Sequence, residues 1–75
     1  MIGNNMLRMR NDEHGSPYDR GTADSWYRRP RQPHFYPHGT YNGKAVTVNE
    51  MSDVEIDAYN KGYDDNEAEG GHKEW

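Results

Sequence analysis

Residues 51–64 read MSDVEIDAYNKGYD, and their first six positions settle where a helix begins. Ser52 and Glu55 stand in the S-x-x-E order of a capping box: the Ser hydroxyl takes the N3 amide, and the Glu carboxylate takes the N-cap amide. Met51 before the cap and Ile56 after it match the hydrophobic staple that fixes how the chain enters a helix. The pattern predicts a helix over 53–64. Met51, Val54 and Ala58 fall toward one side of it; Ile56, Tyr59 and Tyr63 fall toward another. Gly62 costs about 1 kcal/mol relative to Ala in a helix interior, so its presence implies a close packing approach.

Upstream, residues 16–30 read SPYDRGTADSWYRRP. Ser16 suits an N-cap, Pro17 suits N1 with its φ preset, and Asp19 faces the positive end of the helix dipole. Arg28 and Arg29 complement the negative end, and Pro30 forbids continuation. The signals predict a helix over 17–29, with Gly21, Thr22, Ala23, Trp26 and Tyr27 as its packing candidates. Between the two helices, residues 30–43 (PRQPHFYPHGTYNG) form a connector stiffened by proline and rich in aromatics. Its Asn42-Gly43 dipeptide can close a small hairpin between 39–41 and 44–48. Residues 1–15 show no sustained period and are expected to be disordered, and 66–75 form an acidic, Gly-broken flexible tail. The expected fold is mostly α: a two-helix mini-domain over 16–65 with disordered termini. Aliphatic residues are few, so the helices are expected to pack through Trp26, Tyr27, Tyr59 and Tyr63.

The chain has 75 residues and a net charge of −4, and that charge is uneven. Counted along the sequence, residues 1–45 carry +3 and residues 46–75 carry −7. A chain this short buries only about 60 % of its surface on folding and has little volume for a water-excluded pocket. With no cysteine and no scaffolded Ser-His-Asp set, the reading is non-enzymatic, with no cofactor and no small-molecule substrate. No apolar run approaches the roughly 20 residues that span a bilayer, and the first residues lack the apolar core of a secretory signal; the expected location is cytoplasmic. His34 and His38 stand four apart, but Pro33 and Pro37 bracket them. Those two imidazoles, like His14 and His72, read as loop aromatics ahead of metal ligands. Arginines interleaved with aromatics over 20–36 suit either phosphate and base contacts or a protein interface. The acidic balance sets a long-range field against a nucleic-acid partner.

The segment RGTADSWYRRPRQPHFY (20–36), followed by YNKGY (59–63), resembles the ribosome modulation factor family. That resemblance implies two helices joined by a connector, and binding to ribosomal RNA that silences the ribosome. The chain departs from the family in the inserted TYNGKAVTV (40–48) and in its acidic second half. The elements YDRG, DSWY, PH and Tyr-x-x-Gly-Tyr are also similar to small proteins of tailed bacteriophages. Such proteins often act by binding and disabling a host machine. The function expected from charge and resemblance together is inhibition of a host complex, RNA polymerase first, with a ribosome-binding modulator as the alternative. Arg20, Trp26, Arg28, Arg29, Arg31 and Tyr36 are the expected contact residues. Asp53, Glu55, Asp64, Asp65 and Glu67 are expected to steer association.

Overall fold

The computed structural model describes residues 13–40 and 43–72. In chain order it forms α1 (Pro17–Trp26), β1 (His34–Phe35), β2 (Val46–Thr47), a 3-10 turn (Val48–Glu50) and α2 (Asp53–Glu69). The two helices pack on each other, and the two strands form a small antiparallel ribbon, so the fold is mostly α. Among the described residues, no helix is long and apolar enough to cross a membrane.

Both helices start where their caps demand. The Ser52 hydroxyl accepts the Glu55 amide at 3.1 Å, and the Glu55 carboxylate accepts the Ser52 amide at 2.8 Å. At α1 the Ser16 hydroxyl accepts the Asp19 amide at 3.2 Å, while the Asp19 carboxylate reaches one residue further back to the Gly15 amide at 2.9 Å. Residues 13–15 therefore belong to the folded unit, contrary to the expected boundary at Ser16. They form a turn in which the Ser16 amide bonds the Glu13 carbonyl, and Gly15 offers its own carbonyl to the Tyr36 amide at 2.8 Å. The rest of the N-terminal segment, 1–12, lies outside the described residues, as do 73–75 with Trp75.

The helix ends differ from expectation. α1 stops at Trp26 rather than Arg29, because Tyr27 caps it and Arg28 turns into the left-handed region. α2 runs on past Asp64 to Glu69, so 66–69 are helix rather than tail, and Gly70 closes it at φ 71. The ribbon pairs His34 with Thr47 and Phe35 with Val46. Residues 39 and 40 are not the partner strand. The Gly39 amide bonds back to the Tyr36 carbonyl at 3.0 Å, which folds the chain into a turn directly after β1. Tyr41 and Asn42 of the expected hairpin turn lie outside the described residues.

The core holds Phe35, Met51, Ala58 and Tyr59, together with a polar set of Ser16, Arg20, Asp24, Ser25, Glu55 and Asn66. Trp26 and Tyr27, expected between the helices, are instead exposed. Two glycines take that place. A β-carbon on Gly21 would run into the Tyr59 carbonyl oxygen, and one on Gly62 into that of Tyr18. The helix backbones therefore touch there, and a bulky aromatic is pushed to the rim of the contact.

Polar ties replace much of the missing oil. The Tyr59 hydroxyl donates to Asp24 and accepts the Gln32 amide at 3.0 Å. Burial, then the bond to Asp24, holds its proton well above the ordinary tyrosine value of 10.0. Tyr18 donates to Asp65 at 2.6 Å, a bond that raises the tyrosine pKa and lowers that of the carboxylate. At the far ends of the helices, Asn66 donates to the Ser25 hydroxyl at 2.9 Å, and that hydroxyl donates to Glu67 at 2.6 Å.

Candidate functional site

The C-terminal end of α1 is a Schellman motif. The Arg29 amide bonds the Asp24 carbonyl at 2.8 Å, and the Arg28 amide bonds the Ser25 carbonyl at 3.0 Å. The motif needs one residue with positive φ, a place usually filled by glycine. Here it is Arg28 at φ 61. A non-glycine residue pays about 1–2 kcal/mol in this region.

Among the described residues, Trp26 and Tyr27 at this end of α1 are exposed large aromatics. Trp26 is 40 % exposed and Tyr27 38 % exposed, and both lie next to exposed Arg28 and Arg29. The corner is braced from beneath. The Trp26 ring lies against Gly71, where a β-carbon would stand 3.2 Å from its Cζ3. His72 Nδ1 lies 3.0 Å from the Ser25 carbonyl, and the Tyr63 hydroxyl donates to the Arg29 carbonyl at 2.5 Å. The Arg29 guanidinium lies over the Tyr27 ring at 5.0 Å and reaches Asp24 at 3.6 Å. α2 and the residues that follow it thus hold the corner in place without covering it.

The remaining expected contacts scatter. Arg20 is only 6 % exposed and lies 5.9 Å from the Tyr36 ring, so it is no surface anchor. Arg31 crosses to α2, stacking on Tyr63 at 4.3 Å and bonding Asp64 at 2.7 Å. The expected four-arginine strip therefore reduces to Arg28 and Arg29 on the open corner, with half-buried Tyr36 behind them.

Of the acidic residues, Glu55 is fully buried because its carboxylate is spent on the capping box; it cannot steer a partner. Asp64 is bonded to Arg31. Asp65 accepts Tyr18 and sits 3.5 Å from Lys61. Glu67 takes the Ser25 hydroxyl. Asp53 is exposed as expected, and Asp57, one turn along the same side, joins it.

Exposed Tyr27 and Asp57 adjoin these positions and were not among the expected contact residues. Spacing from Asp53 could have found Asp57; nothing in the local sequence marks Tyr27 as exposed rather than packed. A hollow of about 340 Å³ borders the corner at Tyr27, lined also by His14, Asp19, Arg20, Ala23 and Thr40. An open groove of about 550 Å³ runs along the ribbon past Pro33, His34, Ala45 and Thr47. A smaller polar cleft of about 230 Å³ lies between α1 and the connector. Among the described residues, no three His, Asp or Glu side chains are grouped to hold a metal ion. Compared with known proteins, the chain matches no family model, no curated protein and no solved structure.

Proposed function

We propose that this chain is a small, non-catalytic regulatory protein of phage type. It binds and inhibits a host macromolecular machine, with RNA polymerase the leading candidate. The observation that carries this reading is the Trp26–Tyr27–Arg28–Arg29 corner: two exposed aromatics beside an arginine kept where glycine would relieve strain. Trp, Tyr and Arg are the residue types that dominate binding hot spots. Local strain maintained by its surroundings is characteristic of sites selected for something other than stability.

Charge decides the order of partners. With Arg20 buried and Arg31 paired, the corner offers two arginines to a nucleic acid. Two phosphate contacts give a salt slope of only roughly −1.4 to −1.8, modest affinity for a polyanion that a chain of net charge −4 also repels. Asp53 and Asp57 on the outer side of α2 suit attraction toward the basic surface of a nucleic-acid enzyme. The ribosome-binding alternative is supported by the same corner, where Trp26 and Tyr27 are available to stack on unpaired bases.

Tagged protein is passed through bacterial lysate and the captured material is identified by mass spectrometry, with the Trp26→Ala/Arg28→Ala double variant as control. Polymerase subunits enriched over the control, and transcription inhibited in a purified assay, support the reading. Ribosomal proteins with 16S RNA would move it to the alternative. Enrichment of neither class removes both.

A further inference from the structure

The ribbon has two faces. Phe35 is fully buried on one of them, and the register sets His34 opposite Thr47 on the other. There the open groove of about 550 Å³ passes over Gln32, His34 and Thr47 and along Pro33, Ala45 and Val48. We propose that this groove is a binding site for the neutral adenine ring of a nucleoside. It is a second site, separate from the corner and independent of the reading above.

Four observations carry it. First, polar groups on the groove are unspent. The Gln32 backbone is engaged on both sides: its amide donates to the Tyr59 hydroxyl at 3.0 Å, and its carbonyl accepts His34 Nδ1 at 2.8 Å. Its exposed side-chain amide bonds no described residue, and neither does the exposed Thr47 hydroxyl. Second, His34 is an oriented acceptor. A carbonyl only accepts, so Nδ1 carries the hydrogen and Nε2 of the neutral ring offers a lone pair. The ring is held edge-on to Tyr36 at 5.8 Å and tilted against Tyr59 at 5.8 Å, with Asp24 3.8 Å from the same Nδ1. Nε2 meets no described residue, so an acceptor stands in place before any ligand arrives. Third, the charge beside the groove is compensated. Arg31, at its edge, is bonded to Asp64 at 2.7 Å and stacked on Tyr63 at 4.3 Å. A phosphate gains nothing there, and a strand would bring a run of charges against a chain of net charge −4. Fourth, the volume falls within the roughly 300–1,000 Å³ of small-molecule pockets, and Pro33, Ala45 and exposed Val48 supply apolar surface for a flat ring. The ligand edge must therefore bring one hydrogen to His34, another to the Gln32 side-chain oxygen, and an acceptor to the Gln32 side-chain nitrogen. Glutamine pairs bidentately with N6 and N7 of adenine, and the second N6 hydrogen is left for His34.

The test is an NMR titration of the intact protein with adenosine at about pH 8, where an ordinary imidazole is neutral. It follows the Gln32 side-chain amide and the ring nitrogens of His34, and both should shift saturably. Purine riboside, which lacks the amino group, should bind about tenfold more weakly. The dinucleotide ApA, at equal ionic strength, should bind no tighter than adenosine. Gln32→Leu should weaken adenosine binding about tenfold and keep the wild-type melting temperature, since the side chain is exposed and its backbone bonds remain. Trp26→Ala should leave the adenosine affinity unchanged, which separates this site from partner capture at the corner. Equal binding of purine riboside, or of cytidine, would overturn the proposal. So would shifts confined to Trp26 and Tyr27, which would mean stacking on the corner. Tighter binding of ApA would replace the free nucleoside with a base carried on a strand.

Discussion

α1 and α2 are each closed by a residue in the left-handed region, but by different residue types. Arg28 follows α1 at φ 61, and Gly70 follows α2 at φ 71. A β-carbon on Gly70 would meet nothing within 4 Å, so glycine stands there for its backbone alone. Arg28 bears about 1 kcal/mol of strain at the corresponding point. One helix end is shaped for folding. The other holds a non-glycine residue in the left-handed region, and it is the end where Trp26 and Tyr27 stand exposed.

The largest effect comes from parting the two helices, because both ends depend on their contact. Gly62→Ala gains about 1 kcal/mol of helix propensity but drives a methyl group into the Tyr18 carbonyl. Overpacking against backbone should cost about 3 kcal/mol, a large share of what so small a domain holds. Thermal melting followed by circular dichroism should show most of the cooperative transition lost at room temperature. A variant melting within a few degrees of wild type would mean that the glycine contact does not set the helix packing.

A middle-sized effect should fall on one end only. Tyr59→Phe leaves the buried Asp24 carboxylate and the Gln32 amide without their partner, at about 2 kcal/mol. Asp24 also supplies the carbonyl that closes the Schellman motif. The Arg28 and Arg29 amides should therefore exchange faster in the variant while the Gly70 amide keeps its protection. The same residue sets an alkaline limit. The folded protein holds the Tyr59 proton above the ordinary 10.0, so this contribution is whole below that pH and is lost as pH rises beyond it. Urea midpoints measured from about pH 8 to pH 11 should fall less in Tyr59→Phe than in wild type. Tyr18, raised in the same direction by Asp65, supplies the remaining slope in both proteins.

The smallest effect tests the two ends directly. Arg28→Gly should stabilise the fold by about 1 kcal/mol, and Gly70→Ala should destabilise it by about the same amount. The stabilised Arg28→Gly protein should capture less partner than wild type. If it gains stability and keeps full capture, the arginine is not at that position for binding.

The starts of both helices were legible because caps are local chemistry: Ser16 and Ser52 each act on an amide three residues away. The stop at Trp26 was not. A Schellman motif announces itself in sequence through glycine, and here the left-handed residue is Arg28. Gly70 did carry that signal, but α2 reaches it only because Ser25, distant in sequence, holds Asn66 and Glu67. The expectation for Gly62 held, since close backbone approach is the one packing role that glycine alone fills. Trp26 and Tyr27 were expected inside on hydrophobicity, which does not say that the glycine pair leaves no room for them. The exposed corner was legible by residue type, as aromatics beside arginine, and not by arrangement. Whether Arg20 turns inward, Arg31 crosses to Asp64 and Glu55 is absorbed by its cap depends on contacts between segments far apart in the chain.

The polar character of the core has a thermodynamic consequence. Among the described residues, buried Phe35, Met51, Ala58 and Tyr59 share the interior with Ser16, Arg20, Asp24, Ser25, Glu55 and Asn66. Exposing apolar surface raises heat capacity on unfolding, and exposing polar surface lowers it. The heat-capacity increment of this protein therefore falls below the usual 12–15 cal/mol/K per residue, roughly stated. Its stability curve is correspondingly flat. Cooling weakens it little, and heating erodes it gradually through a broad transition set by a small unfolding enthalpy.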